Sequence, residues 1–196
     1  TIMKFLTNAD LLGYEEYERV RESFRQRIIE LKRRRRISIG DSITLVFENR
    51  DTIQFQVQEM IRAERIVDPV KVQEELDVYN QLLPGKDELS ATLFIEITDS
   101  QDLKRDLDAF QGIDRGQTVA IMVGSHVAYG EFEGGHSKED KISAVHFVHW
   151  RIPCPMAEAL ADSTQAAELS VHHAGYRAQT PVPSDLRQEW CRDLAG

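Results

Sequence analysis

The tract from Thr44 to Arg65, TLVFENRDTIQFQVQEMIRAER, limits the fold of this chain more than any other. A short apolar run, ITLVF, breaks into charge at Glu48 and restarts with Ile53, Val57, Met60 and Ile61 at helical spacing. Such an apolar run, broken by charge and restarted at helical spacing, reads as a strand-to-helix junction. Asp51 followed by Gln54 resembles a capping box, which predicts that the helix begins there. Glu48, Arg50, Gln58, Glu59, Arg62 and Glu64 crowd into this junction, where a cleft-facing polar cluster could form. The opposing reading is that they pair along the helix surface, as Gln58 or Glu59 with Arg62 would.

The flanking segments fill in the architecture. Thr7 or Asn8 can cap a short turn around Leu11. A longer helix follows, with Tyr14, Tyr17, Val20, Phe24, Ile28 and Leu31 on one face. Glu15 with Arg19, Glu18 with Arg21, and Glu22 with Arg25 can pair along its exposed side. Asp68-Pro69 starts a third helix through Leu76 to Leu83, stopped by Pro84-Gly85. Ser90 to Ile97, Thr118 to Val123, His126 to Phe132, Ile142 to Ile152 and Glu168 to His173 read as strands. Asp99 to Phe110 and Pro155 to Leu160 read as helices, and Ser125 to Lys138 as a loop or hairpin. Ser184 is positioned to cap a last helix carrying Leu186, Trp190 and Leu194. This interleaving predicts an α+β fold: a mainly antiparallel sheet, helices on one face, and N-terminal helices packed alongside. One domain over residues 1–196 is expected, with a helical segment at 1–36, an α+β core at 37–180 and a C-terminal helix at 181–196.

Charge narrows the function. A net charge of −9 opposes non-specific nucleic-acid binding, because phosphates are repelled at long range. The five cations Lys32 to Arg36 run against that balance, but no aromatic residue interleaves with them, and cations favour a helix C-terminus. They close the helix, face an acidic protein surface or, as the least favoured reading, contact nucleic acid through Lys32–Arg36. Asp99 to Asp108 on a second copy would supply such a surface, so a twofold homodimer is expected. No apolar run approaches the ~20 residues needed to span a bilayer. The opening TIMKFLTNAD lacks a signal-peptide pattern, and Cys154 and Cys191 supply no disulfide framework. The chain reads as a cytoplasmic protein.

Catalytic signatures are missing. There is no Gly-x-Gly-x-x-Gly, no Walker lysine and no Gly-x-Ser-x-Gly elbow, so phosphate cradling and serine hydrolysis lack support. His146 and His149 are three apart on a strand and must point to opposite faces; of His172 and His173, only one can face inward. A metal site would combine one histidine from each strand, with His146 and His173 the leading pair, and carboxylates from elsewhere, such as Glu59, Glu64 or Glu96. That set suits iron, manganese or zinc. The opposing reading is packed or surface histidines, since no close-spaced ligand motif is present.

Five tracts, LVFENRDTIQFQVQEMIRAERI, EELDVYNQLLP, ATLFIEI, SAVHFVHW and HHAGYR, together resemble a bacterial family known as domain of unknown function 3501. The resemblance covers nearly the whole chain and implies no reaction. It implies a redox or oxidative-stress setting, because members are often encoded beside rubrerythrin-like and iron–sulphur proteins. It also implies recurring polar positions at Glu48, Arg50, Gln58, Glu59, Arg62 and Glu64, and at Tyr79, Asn80, Glu96, His146, His173 and Tyr176. The family commonly reads Asp-His-Pro-Ala-Tyr near its end, where this chain has His172-His173-Ala174-Gly175-Tyr176. The expectation is an accessory protein of a redox system that binds a metal or small ligand in a polar pocket, with Glu48, Arg50, Gln58, Glu59, Arg62, Glu64 and Tyr176 as its ligand-binding residues. The alternative is a non-catalytic interaction module working through its helical face and Lys32–Arg36, with a redox protein as partner.

Overall fold

The computed structural model describes residues 5–98, 101–134 and 143–196. A 3-10 turn at Asn8–Asp10 leads into α1 (Tyr14–Arg34), β1 (Arg36–Ile39), β2 (Ile43–Phe47), α2 (Arg50–Glu64) and α3 (Pro69–Asn80). Then come β3 (Glu88–Ile95), α4 (Leu103–Asp108), β4 (Val119–Val123), β5 (His126–Tyr129) and β6 (Glu131–Phe132). The chain ends with β7 (Val145–Arg151), α5 (Cys154–Ala161), β8 (Ala167–His173), β9 (Tyr176–Pro181) and α6 (Ser184–Ala195). The expected strand start at Ile142, the helix start at Asp99, and the loop from Gly135 to Lys138 lie outside the described residues.

Two helix starts differ from expectation. Asn49, not Asp51, caps α2: its backbone is extended, its side chain accepts from Thr52 N at 3.0 Å, and Thr52 Oγ1 accepts from Asn49 N at 2.9 Å. An N-cap needs extended backbone and a short acceptor, which Asn49 supplies. Asp51 sits instead inside the first turn, where its charge suits the helix dipole. Likewise Pro183 holds the cap position of α6, and Ser184 is its first residue.

All strand pairings are antiparallel, as the α+β reading requires, but the strands divide between two sheets. One is ordered β1-β2-β3-β7-β6 and the other β5-β4-β8-β9. Alternate residues of both point into one shared core, among them Leu45, Phe47, Leu93, Trp150, Ile121 and Leu169. The sheets meet at two joints. At one, the chain passes from β5 to β6 through Gly130, where a Cβ would stand 2.5 Å from the Val148 side chain, so only glycine fits. At the other, the Tyr176 hydroxyl donates to Ile39 O and accepts from Ser42 N at 3.1 Å, tying β9 to the β1–β2 turn. Gly40 in that turn has φ +73° and lies against the same hydroxyl.

Helices cover this body in two places. Met156 and Leu160 of α5 and Leu186 and Trp190 of α6 complete the shared core. On the outer face of the larger sheet, Ile53 and Val57 of α2 meet Val72 and Leu76 of α3 in a second apolar cluster that reaches Phe147. The α1 helix runs antiparallel along α2, with Glu18 paired to Arg62, Arg21 to Glu59, and Phe24 stacked on Phe55 at 5.7 Å. The expected Glu18–Arg21 pair is therefore split between two partners on α2. Tyr17 and Ile28 are buried, whereas Tyr14 and Val20 at the same stripe are exposed. No helix among the described residues is long and apolar enough to cross a membrane.

Candidate functional site

The polar junction that stands out in the sequence is largely consumed by the fold. Glu48 is 3% exposed, and its carboxylate accepts from the hydroxyls of Thr52 on α2 and Thr92 on β3. Gln58 is also buried; its amide accepts from Leu12 N at 2.6 Å and donates to Leu12 O at 3.3 Å. Gln54 donates to Asp10 O, and Asn80 on α3 brackets Leu6 in the same way that Gln58 brackets Leu12. These amides satisfy the backbone of the irregular segment before α1, which is why α2 is studded with polar residues on a packed face. Tyr79, beside Asn80, is half-buried, and that burial raises its phenol.

The charges follow the same pattern. Glu59 accepts two hydrogen bonds from Arg21, at 3.0 and 2.8 Å, and these hold its carboxyl below the usual range. Burial, and then the Glu59 charge beside it, push the Tyr17 phenol up to about 12. Arg62 binds Glu18, while Glu64 is exposed at the end of α2. Arg50 pairs with Asp10 at 3.0 Å, and the Thr7 backbone amide together with Arg50 keeps the Asp10 carboxyl low.

The expected metal ligands occupy four different settings. His146 is on the inner face of β7, opposite Leu93, with Nε2–H donating to Ser143 O at 2.7 Å. His149 is on the other face, 3.4 Å from Glu133, so the two histidines do diverge as strand geometry demands. His173 lies at the β8–β9 hairpin, where it stands opposite Tyr176 across a turn of Ala174 and Gly175. Glu96 is half-exposed and pairs with Arg36 at 3.3 Å; Glu59 is held by Arg21. Among the described residues no three His, Cys, Asp or Glu side chains are grouped as a metal site.

The basic run contains a feature that the sequence does not advertise. Arg35 is 0% exposed. Its guanidinium donates to Phe47 O at 2.7 Å, Glu48 O at 3.1 Å, Glu189 at 3.0 Å and Asp193 at 3.1 Å. Arg34 and Arg192 also reach Glu189, at 3.2 and 2.9 Å. Burial raises the Asp193 carboxyl, and Arg35 offsets this only in part. The counter-surface for Arg34 and Arg35 is thus α6 of the same chain, whereas Arg33 pairs with Glu30 and Arg36 with Glu96. Glu189 and Asp193 stand four apart on one helix face, a spacing visible in the sequence, but nothing local identifies Arg35 as their partner.

A cleft of about 560 Å³ opens next to this buried knot. Its walls are the start of α2 (Asn49, Arg50, Asp51), the loop before β3 (Leu83 to Asp87) and the end of α6 (Arg192 to Gly196). The loop wall is well defined: Gly85 N donates to Glu88 Oε1 at 2.8 Å, and Asp87 holds φ 58°, a left-handed conformation that aspartate tolerates. Of the expected ligand-binding residues, Arg50 alone lines this cleft; Asp51, Lys86, Asp87, Arg192 and Asp193 are additions that sequence reading missed. The size falls within the ~300–1,000 Å³ of small-molecule sites, and the lining mixes apolar side chains with charges of both signs.

A crystal structure described as a novel protein of unknown function from Burkholderia pseudomallei K96243 is 30% identical to this chain and superposes with a TM-score of 0.89. The match covers 97% of this chain and 100% of that one. A comparison with curated proteins gives no match. The family model described as "Protein of unknown function (DUF3501)" matches residues 5–194, and the chain belongs to that family.

Proposed function

We propose that this protein binds a small polar ligand in the cleft between the start of α2, the Leu83–Asp87 loop and the end of α6. The observation that carries this reading is an open concavity of ligand size, about 560 Å³, beside polar side chains that are otherwise closed into pairs. Within the redox or oxidative-stress setting implied by the family resemblance, the protein serves as a cytoplasmic accessory that captures a metabolite. Ligand-observed magnetic resonance against a library of small polar metabolites, followed by amide-shift mapping, tests this. Shifts confined to residues 49–51, 83–87 and 192–196 are expected. A library without one hit mapping there would overturn the reading.

A second reading is a protein-interaction module. It is favoured by the exposed valines Val67, just before α3, and Val70 and Val78 along it, which are 84%, 66% and 60% exposed. A homodimer or a redox-protein partner would cover such a surface. Light scattering at low and high salt is the check, and a monomeric mass at both would remove the homodimer.

A further inference from the structure

Each wall of the cleft contributes a cation followed directly by an aspartate: Arg50-Asp51, Lys86-Asp87 and Arg192-Asp193. The three dipeptides are far apart in the chain and converge only through the fold. Three of the six charges are already satisfied within the protein: Arg50 by Asp10, Arg192 by Glu189, and Asp193 by Arg35. Asp51, Lys86 and Asp87 are exposed and make no ion pair among the described residues. A ligand therefore meets one unpaired ammonium and two unpaired carboxylates. A simple anion gains at Lys86 but is repelled by both aspartates and by a molecule of net charge −9. A simple cation gains at the aspartates but is repelled by the unpaired Lys86 ammonium. A molecule carrying both charges gains at both, and like-charge juxtaposition rejects the single-charge forms.

Resting on the reading of the cleft as a ligand site, we infer that its ligand is a zwitterion with an ammonium and a carboxylate, of the amino-acid or short-peptide class. Lys86 takes the carboxylate, and Asp51 with Asp87 takes the ammonium. The apolar body lies against Leu83, Pro84 and Leu194, which line the same space. The cleft is roomy enough for a dipeptide.

The test titrates three forms of one dipeptide, Leu-Leu, into the full chain by calorimetry and amide-shift mapping: the free zwitterion, the N-acetylated carboxylate and the C-amidated ammonium. The zwitterion should bind at residues 49–51 and 83–87, with each blocked form about tenfold weaker or worse. Lys86→Met should abolish the preference for the free carboxylate, and Asp51→Asn with Asp87→Asn the preference for the free ammonium. These positions are exposed, and asparagine also tolerates the left-handed backbone at 87, so the fold should survive. If the acetylated form binds as tightly as the zwitterion, the ammonium is not read and the inference fails while the ligand-site reading stands. If no form binds but a library compound of another class maps to the cleft, the inference again fails alone. If nothing maps to the cleft, both fall.

Discussion

Two sets of arginine–carboxylate pairs hold the α1 helix in place, and they work in different solvents. Along its length, Glu18–Arg62 and Arg21–Glu59 join α1 to α2 with side chains 26–35% exposed. At its end, Arg35 meets Glu189 and Asp193 with side chains 0–7% exposed. The pairing chemistry is the same; the cost of stripping water is not. Half-wet pairs gain little net energy because water competes for both partners. A buried pair must recover a desolvation penalty, and it holds only if every remaining hydrogen-bonding group is met. Arg35 meets that condition by also donating to Phe47 O and Glu48 O. The knot therefore fixes where α6 lies against β2, and with it one wall of the cleft, whereas the pairs along α1 mainly set its register on α2.

The largest test of this contrast is Arg35→Met. It leaves Glu189 and Asp193 buried without their central cation, and should cost about 3–5 kcal/mol in urea unfolding. A loss no larger than that of a surface pair would end the distinction. Adding Glu189→Met and Asp193→Leu should return much of the stability, because an apolar core of similar volume needs no pairing.

An uncharged yardstick comes next. Gly40→Ala forces a side chain into left-handed backbone and against the Tyr176 hydroxyl, so it should cost about 1–3 kcal/mol by the same measurement. A value above that of Arg35→Met would mean that the sheet joint, not the ion knot, is the more sensitive point of the fold.

Acid separates the two regions by sign. The Asp193 carboxyl is raised above 3.8, so its favourable contribution is full below 3.8 and is lost as pH rises through the raised value. The Glu59 carboxyl is lowered below 4.5, so its contribution is present above 4.5 and is lost as pH falls through the lowered value. Thermal melts across about pH 3 to 8 should show Asp193→Asn removing the first trend and Glu59→Gln the second. Identical profiles for the two variants would contradict the difference in environment.

The smallest expected effect is Arg62→Gln, about 0–1 kcal/mol, and it should shrink further at high salt. A loss comparable to that of Arg35→Met would show that exposure does not govern these pairs.

Local order is what the sequence by itself determined. The break of an apolar run into charge at Glu48 places β2 and α2, Asp68-Pro69 starts α3, and strand geometry alone sends His146 and His149 to opposite faces. Each depends on residues within a turn or a pleat of one another, so near neighbours suffice. Asn49 rather than Asp51 caps α2 because, although both suit the role by composition, only Asn49 has the extended backbone that a cap requires. The tertiary structure decided the partners. Arg35 finds Glu189 across 154 residues, Glu18 and Arg21 choose α2 over each other, and the two sheets join through Gly130 and Tyr176. The polar tract that looked like a site became packing, while the cleft formed from three cation–aspartate dipeptides at distant positions. Charge pairing depends on distance and burial in space, and a linear pattern carries neither.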